Sequence, residues 1–401
     1  MTGGAHRRRL SPGATVSTRR RLAAHRLGSL GLTAPTRGQL AGDPLAVVRR
    51  LGAMQAQDLA SGLWSLGIRT GGTVSDALAA VDRREITRTW PMRGTLHWVP
   101  AADAGWMCRL LSAPAQRAAT RMLAHLGLTD DLVERAGQIW AEQLAAPEAQ
   151  LSRGEASALL AEHGIDGSAQ RTYHLLVRHC QRALLCQGPI RRTAAGGLEP
   201  TFVRHDVWVP APHDPGPEHA LALLAQRYIR GHAPVTERDL ARWCDQPLRP
   251  VRAALAALVS AGRVRAETRA DGTAWLLPAE TASLSEPARP ADVPAGPSEV
   301  LLVPGFDEWL LGYADRSAQL RREDEPHVVP GGNGVFRGTV VAGAQVVATW
   351  RRDPTRRRGL ALLVHPLTPL PARVTRALPA AAAAYGAFWE HDGEVAVRVD
   401  G

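Results

Sequence analysis

The chain contains no lysine, and all 48 of its basic residues are arginine. That absence excludes two kinds of chemistry. A P-loop needs the lysine of its Walker motif to reach the phosphates, so a P-loop nucleotidase is ruled out. A Schiff base on a lysine is ruled out as well, and only the chain's α-amino group is left to form one. Cysteine is sparse: Cys108, Cys180, Cys186 and Cys244 make no C-x-x-C pair, which argues against a zinc site and a disulfide framework. There is no H-E-x-x-H, and the spacing of His174 and His179 puts them on different faces of a helix, so no metal is expected. No apolar run reaches the ~18–20 residues of a membrane span. The N-terminus, MTGGAHRRRLSPGATVSTRRR, has arginines but no apolar signal-peptide core, so the expected location is cytoplasmic.

What is present is a surplus of positive charge. Forty-eight basic residues against 38 acidic ones give a net charge of +10. A GC-rich coding sequence accounts for part of the arginine content. Arginine is also the side chain suited to bidentate phosphate contacts, and a positive field captures polyanions such as nucleic acid. The apolar fraction of 45% is that of a globular protein, and 401 residues exceed what one core usually serves, about 250–300, so at least two domains are expected.

Residues 1–16 read as a disordered basic arm. Helices are expected from Thr18 to Leu27, from the Asp43-Pro44 start until it fades near Gln55, across LASGLWSLGIR, and across TVSDALAAV behind Thr73. ITRTWPMRGTLHWVP then alternates like a hairpin that bends near Met92-Arg93-Gly94. Two later stretches resemble each other. LSRGEASALLAEHGI carries Ser152 and Glu155 in a capping box, and VTERDLARWCD carries Thr236 and Asp239 at the same spacing. Each leads into a second helix and then into strand-like sequence, the later pair of strands being joined at Asp271-Gly272.

Helix, turn, helix and hairpin in that order is the winged-helix pattern. The expected fold is therefore mainly α with β wings: three tandem winged-helix units at 17–110, 111–212 and 213–280. A proline-rich linker at 281–298 follows, and then a C-terminal β-rich, barrel-like domain at 299–401. A single winged helix mostly means a transcription regulator, and a non-catalytic DNA-binding regulator stays open as an alternative. Several units lining one basic channel suit an enzyme that works on a single base.

Four blocks carry a more specific signal. MQAQDLASGLWSLGIR, TRTWPMRGTLHWV, PGFDEWLLGYADRS and GNGVFRGTVVAGAQVVATWRR occur in this order along the chain. Together they resemble the AlkZ/YcaQ superfamily of winged-helix DNA glycosylases, the first block matching its Q-x-Q or Q-x-D motif through Gln55 and Gln57. The turn Ala342-Gly343-Ala344-Gln345 departs from the usual Asp-Gly turn, and nothing carries over onto residues 1–16. The resemblance implies hydrolysis of the N-glycosidic bond of alkylated purines, chiefly N7-alkylguanine, and in some members the opening of interstrand crosslinks. Glutamine at the second motif position implies the branch associated with producers of DNA-alkylating antibiotics.

The chemistry permits a pair of amides. An N7-alkylguanine is already cationic and leaves without a strong general acid. What remains is to position a water and stabilise an oxocarbenium-like sugar, which oriented dipoles can do. Gln55 and Gln57 are the expected catalytic residues. Arg93, beside Gly94 at the turn, is an expected phosphate contact. His97 reads as either a structural histidine or a DNA contact, and Arg171 and Arg178, on the expected second recognition helix, read as either DNA contacts or a solvated face. Trp90 and Trp98 are expected in the core, Asp58 as a helix cap, and Asp307, Asp315 and Arg316 in internal polar bonds. The expected protein is a monomeric, monofunctional glycosylase on double-stranded DNA carrying alkylated guanine, with no cofactor, metal or membrane partner.

Overall fold

The structure is a computed structural model that describes residues 16–268, 272–281, 299–332, 334–354 and 359–400. The basic arm and the linker lie outside the described residues apart from Val16 and Thr281, as does Asp271 of the third hairpin.

Helix starts follow the expected caps. Asp43 accepts from Ala46 N at 2.8 Å and Asp58 from Ser61 N at 2.7 Å. Thr73, Ser152 and Thr236 each close a reciprocal capping box with the acidic residue three positions on. Each such cap is worth about 1 kcal/mol. The helix Pro44–Leu51 is ended by Gly52 at φ +81°, a conformation that glycine adopts without steric cost. The chain therefore does not fade as a helix into Gln55; Met54–Gln55 is a short strand, β1.

β1 belongs to a six-stranded sheet with β2 (Ile86–Met92), β3 (Thr95–Pro100), β4 (Leu151–Ser152), β5 (Leu185–Arg192) and β6 (Leu198–Arg204), in the order β1-β3-β2-β5-β6-β4. The first two hairpins thus share one sheet, joined where Arg88 of β2 pairs with Gln187 of β5. The third hairpin, β7 (Val264–Thr268) with β8 (Ala274–Pro278), forms a two-stranded sheet, and among the described residues its bridge to the rest of the chain is Val235 to Leu276.

The C-terminal sheet comprises β9 (Val300–Val303), β10 (Gly338–Ala342), β11 (Gln345–Arg352), β12 (Ala361–Pro366) and β13 (Ala396–Val399), in the order β13-β12-β11-β10-β9. The expected barrel is corrected here: β9 and β13 are opposite edges, and among the described residues no pairing closes them. Closure requires a staggered register around the whole sheet. Instead the helix Ala372–Phe388 packs against both β9 and β13, burying apolar surface that a closed barrel would turn inward.

Two apolar cores result. The larger runs through the first, third and C-terminal segments and takes in Cys186, Val203, Trp208 and Val209, while the smaller joins Trp90 and Leu96 of the first hairpin to residues from Leu128 to Phe202. Trp64 of the helix Leu59–Thr70 meets Tyr385 and Phe388 at ring-centroid distances of 5.1 and 5.3 Å. A Cβ on Gly67 would stand 2.2 Å from the Phe388 ring, so this approach requires glycine. A buried ion pair ties the same helix to the segment after β9: the Arg69 guanidinium donates to both Asp307 oxygens at 2.8 and 2.9 Å. Among the described residues no helix is long and apolar enough to cross a membrane, and no group of three or more His, Cys, Asp or Glu is placed to hold a metal.

Candidate active site

Gln55 and Gln57 flank Ala56 at an edge of the six-stranded sheet. Met54 lies opposite Trp98 and Gln55 opposite His97, and the Ala56 N–H donates to the Leu96 carbonyl at 2.8 Å. The reciprocal bond of that antiparallel pair is made by a side chain: Gln57 Oε1 accepts from Leu96 N at 3.0 Å. Asp58 then caps the helix Leu59–Thr70. Within that helix, a Cβ on Gly62 would stand 2.8 Å from Ala56 Cβ and 3.0 Å from Trp98 Nε1. Glycine lets the helix press Ala56 onto the sheet, so the two amides diverge from a pinned residue.

The amides have different partners. Gln55 is half-buried; its Nε2 donates to Thr95 Oγ1 at 3.4 Å, while its Oε1 is enclosed and has no hydrogen-bond partner among the described residues. Gln57 is exposed, with its oxygen committed to Leu96. The Gln55 main-chain N–H donates to Glu308 Oε1 at 3.3 Å. Glu308 is 1% exposed, and its other oxygen accepts from Trp243 Nε1 at 2.8 Å and His232 Nε2 at 3.2 Å. Burial raises its carboxyl, but the hydrogen bond and charge of His232, with Arg93, outweigh burial and hold it below the usual range.

Behind Gln55 lies an arginine–histidine pair. Arg93 and Gly94 occupy the hairpin turn at φ +56° and +67°, the two left-handed residues of a tight hairpin connection. Arg93 folds back so that its Nη2 donates to His97 Nε2 at 2.9 Å. His97 is fully buried; burial first, and Arg93 beside it second, lower its pKa to about 3, so the ring is neutral at physiological pH. The tautomer follows, with Nδ1 donating to the Thr95 carbonyl at 2.9 Å and Nε2 accepting from Arg93. His97 has no exposed surface.

The structure thus brings Gln55, Gln57, Arg93 and His97 together around Thr95 and Leu96. Arg171 and Arg178 lie apart, on the helix Ala169–Gln181 against the smaller core. Arg171 donates to the main-chain carbonyls of Asp166 and Leu126, and Arg178 donates to Gln116 Oε1 at 2.7 Å. Asp315 and Arg316 make internal bonds, the first accepting from Ser317 N and the second donating to the Leu310 carbonyl at 2.7 Å. Sequence reasoning passed over Glu308 and Thr95. The adjacent carboxylates Asp307-Glu308 directly before Trp309-Leu310-Leu311 were the available signal for Glu308, because a charge set among apolar residues needs a buried partner.

Helices followed by hairpins on an arginine-rich chain are features suited to binding nucleic acid. The family model for AlkZ-like DNA glycosylases matches residues 48–388, and the chain belongs to that family. In fold it is similar to the solved structure of the Streptomyces sahachiroi DNA glycosylase AlkZ. The two are 21% identical, with 95% of this chain and 99% of the other covered at a TM-score of 0.72. No curated protein sequence matches the chain.

Proposed function

We propose that this glycosylase is monofunctional, hydrolyses cationic N7-alkylguanine adducts including bulky ones, and uses Gln55 and Gln57 to complete the scission. The observation that carries this reading is the division between the two amides: one enclosed carbonyl oxygen without a partner, and one carbonyl committed to the sheet. When the C1′–N9 bond of a cationic guanine breaks, its electron pair goes to the base, which leaves neutral. The sugar becomes oxocarbenium-like. Gln55 Oε1 accepts a hydrogen bond from the attacking water, and its Nε2 is anchored on Thr95. Gln57, with its oxygen occupied, offers its amide N–H groups outward to the nucleic acid. The water's proton passes to solvent. Because the pair carries no formal charge, the reaction depends on the charge of the lesion itself, and unmodified purines are poor substrates.

With no lysine in the chain, a lyase step through a lysine Schiff base is absent and the product is an intact strand with an abasic site. Glutamine rather than aspartate at position 57 supports a role in self-resistance to a DNA-alkylating natural product or in repair of such damage. The test is incubation with duplexes carrying N7-methylguanine and bulkier N7 adducts, reading base release by mass. Gln55→Ala should lose on the order of 10²–10³-fold in the single-turnover rate, the scale of one preorganised hydrogen-bonding group, and strands should stay uncut without heat or base. Undiminished release by the doubly substituted Gln55→Ala, Gln57→Ala protein would overturn the assignment.

A further inference from the structure

The helix Ala113–His125 carries charge of one sign and takes part in nothing described above. Its sequence, APAQRAATRMLAH, holds no acidic residue. Arg117, Arg121 and His125 follow one another at four-residue steps, which sets them on one stripe of the helix surface. All three are exposed, and among the described residues neither arginine has a hydrogen-bond or ion-pair partner. The opposite face is the one that packs: Gln116 accepts from Arg178, and Leu123 rests on the smaller core. The next helix, Asp130–Gln143, has the reverse balance, with Asp130, Asp131, Glu134 and Glu142 against Arg135. Charge is thus sorted by helix, although a surface of mixed sign serves solubility equally well.

The position of the helix ties this stripe to the site. Cys108 Sγ touches Thr89 Oγ1 at 3.7 Å; Thr89 lies opposite His97, and His97 opposite Gln55. Residues opposite one another share a face of the sheet, so the helix Ala104–Leu111, which carries Cys108, covers the face of Gln55 and His97. Ser112 alone separates that helix from Ala113–His125. The second helix then starts at the hairpin turn, where a Cβ on Gly94 would stand 3.7 Å from Ala115 Cβ. Thr95 and Leu96, which hold the two amides, follow Gly94 directly. At 1.5 Å per residue, Arg117, Arg121 and His125 lie about 3, 9 and 15 Å along the axis from Ala115. None of the 13 residues is fully buried, and a helix of this length is marginal on its own.

We infer that the helix Ala113–His125 is a docking surface for the duplex next to the lesion, with Arg117 and Arg121 each donating to a backbone phosphate. Charge complementarity selects this occupant. Arginines about 6 Å apart in a line, without an acidic neighbour on their helix, match a strand that presents a phosphate about every 3.4 Å of its axis, and guanidinium donors suit phosphate oxygens. The inference rests on the DNA substrate of the family and not on the roles assigned to Gln55 and Gln57, so the two readings fail separately.

The experiment uses the full chain with Arg117→Gln and Arg121→Gln together. A second protein, with Arg373→Gln and Arg376→Gln, removes the same charge from exposed positions on the helix Ala372–Phe388. Binding to a duplex carrying one N7-methylguanine is followed by fluorescence anisotropy across a range of salt concentrations. The slope of log K against log salt should fall by about 1.8 in the first variant, two contacts at about 0.9 each, and should keep its wild-type value in the second. Each phosphate near the lesion is then replaced in turn by a neutral methylphosphonate. Two positions on one side of the lesion should weaken binding by the wild type and leave the first variant unaffected. An unchanged slope in the first variant overturns the inference. So does an equal fall in both variants, which leaves only the overall field of the chain, and so does a methylphosphonate pattern identical to that of the wild type.

Discussion

At Ser152 a two-residue strand runs straight into its helix, whereas at Gln55 it does not. β4 and β1 are the two edges of the same sheet, each two residues long and each laid on the outer strand of a hairpin. Ser152 ends β4 and is itself the cap of the helix Arg153–Glu162. The third hairpin shows the same economy, with Val235 bridged to Leu276 and Thr236 capping the next helix. Between β1 and the helix Leu59–Thr70, Ala56, Gln57 and Asp58 intervene. Asp58 takes over the capping, Gln57 takes over a ladder bond, and Gln55 is left with a carbonyl oxygen that no structural task consumes.

The strands also differ in what holds their main chain. The Ser152 N–H donates to Glu155, three residues away in its own capping box. The Gln55 N–H donates to Glu308, 253 residues away. A local carboxylate makes β4 a self-contained helix start, while a distant one ties the geometry of β1 to the C-terminal segment.

The largest expected break in this comparison is Glu308→Ala. It leaves Trp243 Nε1, His232 Nε2 and the Gln55 N–H without their buried acceptor, so a loss of about 3–5 kcal/mol is expected in urea denaturation, the range for breaking a buried charged pair. Base release should fall with it, and unchanged release would mean that the Glu308 bond does not govern the geometry of β1. A smaller contrast comes from the caps. Asp58→Ala and Ser152→Ala should each cost about 1 kcal/mol. Only the first should slow base release, because only that cap closes the segment carrying the glutamines. Equal loss of activity in both variants would mean that the two helix starts do not differ in function.

The smallest contrast is silent at neutral pH. Buried His97 has its pKa lowered to about 3 and His179, against the smaller core, to about 4, against about 6.5 for an unperturbed imidazole. Below pH 6.5 the unfolded chain takes up protons that the folded chain refuses. The stability these rings contribute is therefore complete above about 6.5 and is lost as pH falls toward their folded values. Tm should decline across that window, and His97→Asn should flatten the decline in part, leaving the share of His179. An unaltered slope in His97→Asn would contradict the neutral, Arg93-paired ring.

Much of this was legible along the chain. The caps at Asp43, Asp58, Thr73, Ser152 and Thr236 are local hydrogen bonds over three residues, so their spacing announces them. The first hairpin showed in its alternation, and its Met92-Arg93-Gly94 bend falls where expected. β1 was misread as a helix end because two residues carry no period. Arg88 was overlooked, although alternation in ITRTWPM sets it on the face of Trp90, and an arginine on an apolar face is itself a signal. The short helix Ala34–Leu40 behind Thr33 was also missed.

The amino-acid sequence alone determined where the side-chain-capped helices at Asp43, Asp58, Thr73, Ser152 and Thr236 start, that the first hairpin turns back on itself, and that a lysine-free, arginine-rich chain carries two amides one residue apart. Those properties depend on neighbours within a few positions and on side-chain chemistry. Only the tertiary structure decided that the first two hairpins share one sheet, that the C-terminal sheet stays open under its helix, and that Glu308 meets Gln55. Contacts across 200 residues and more are set by which apolar faces bury against each other, and no local pattern records that choice.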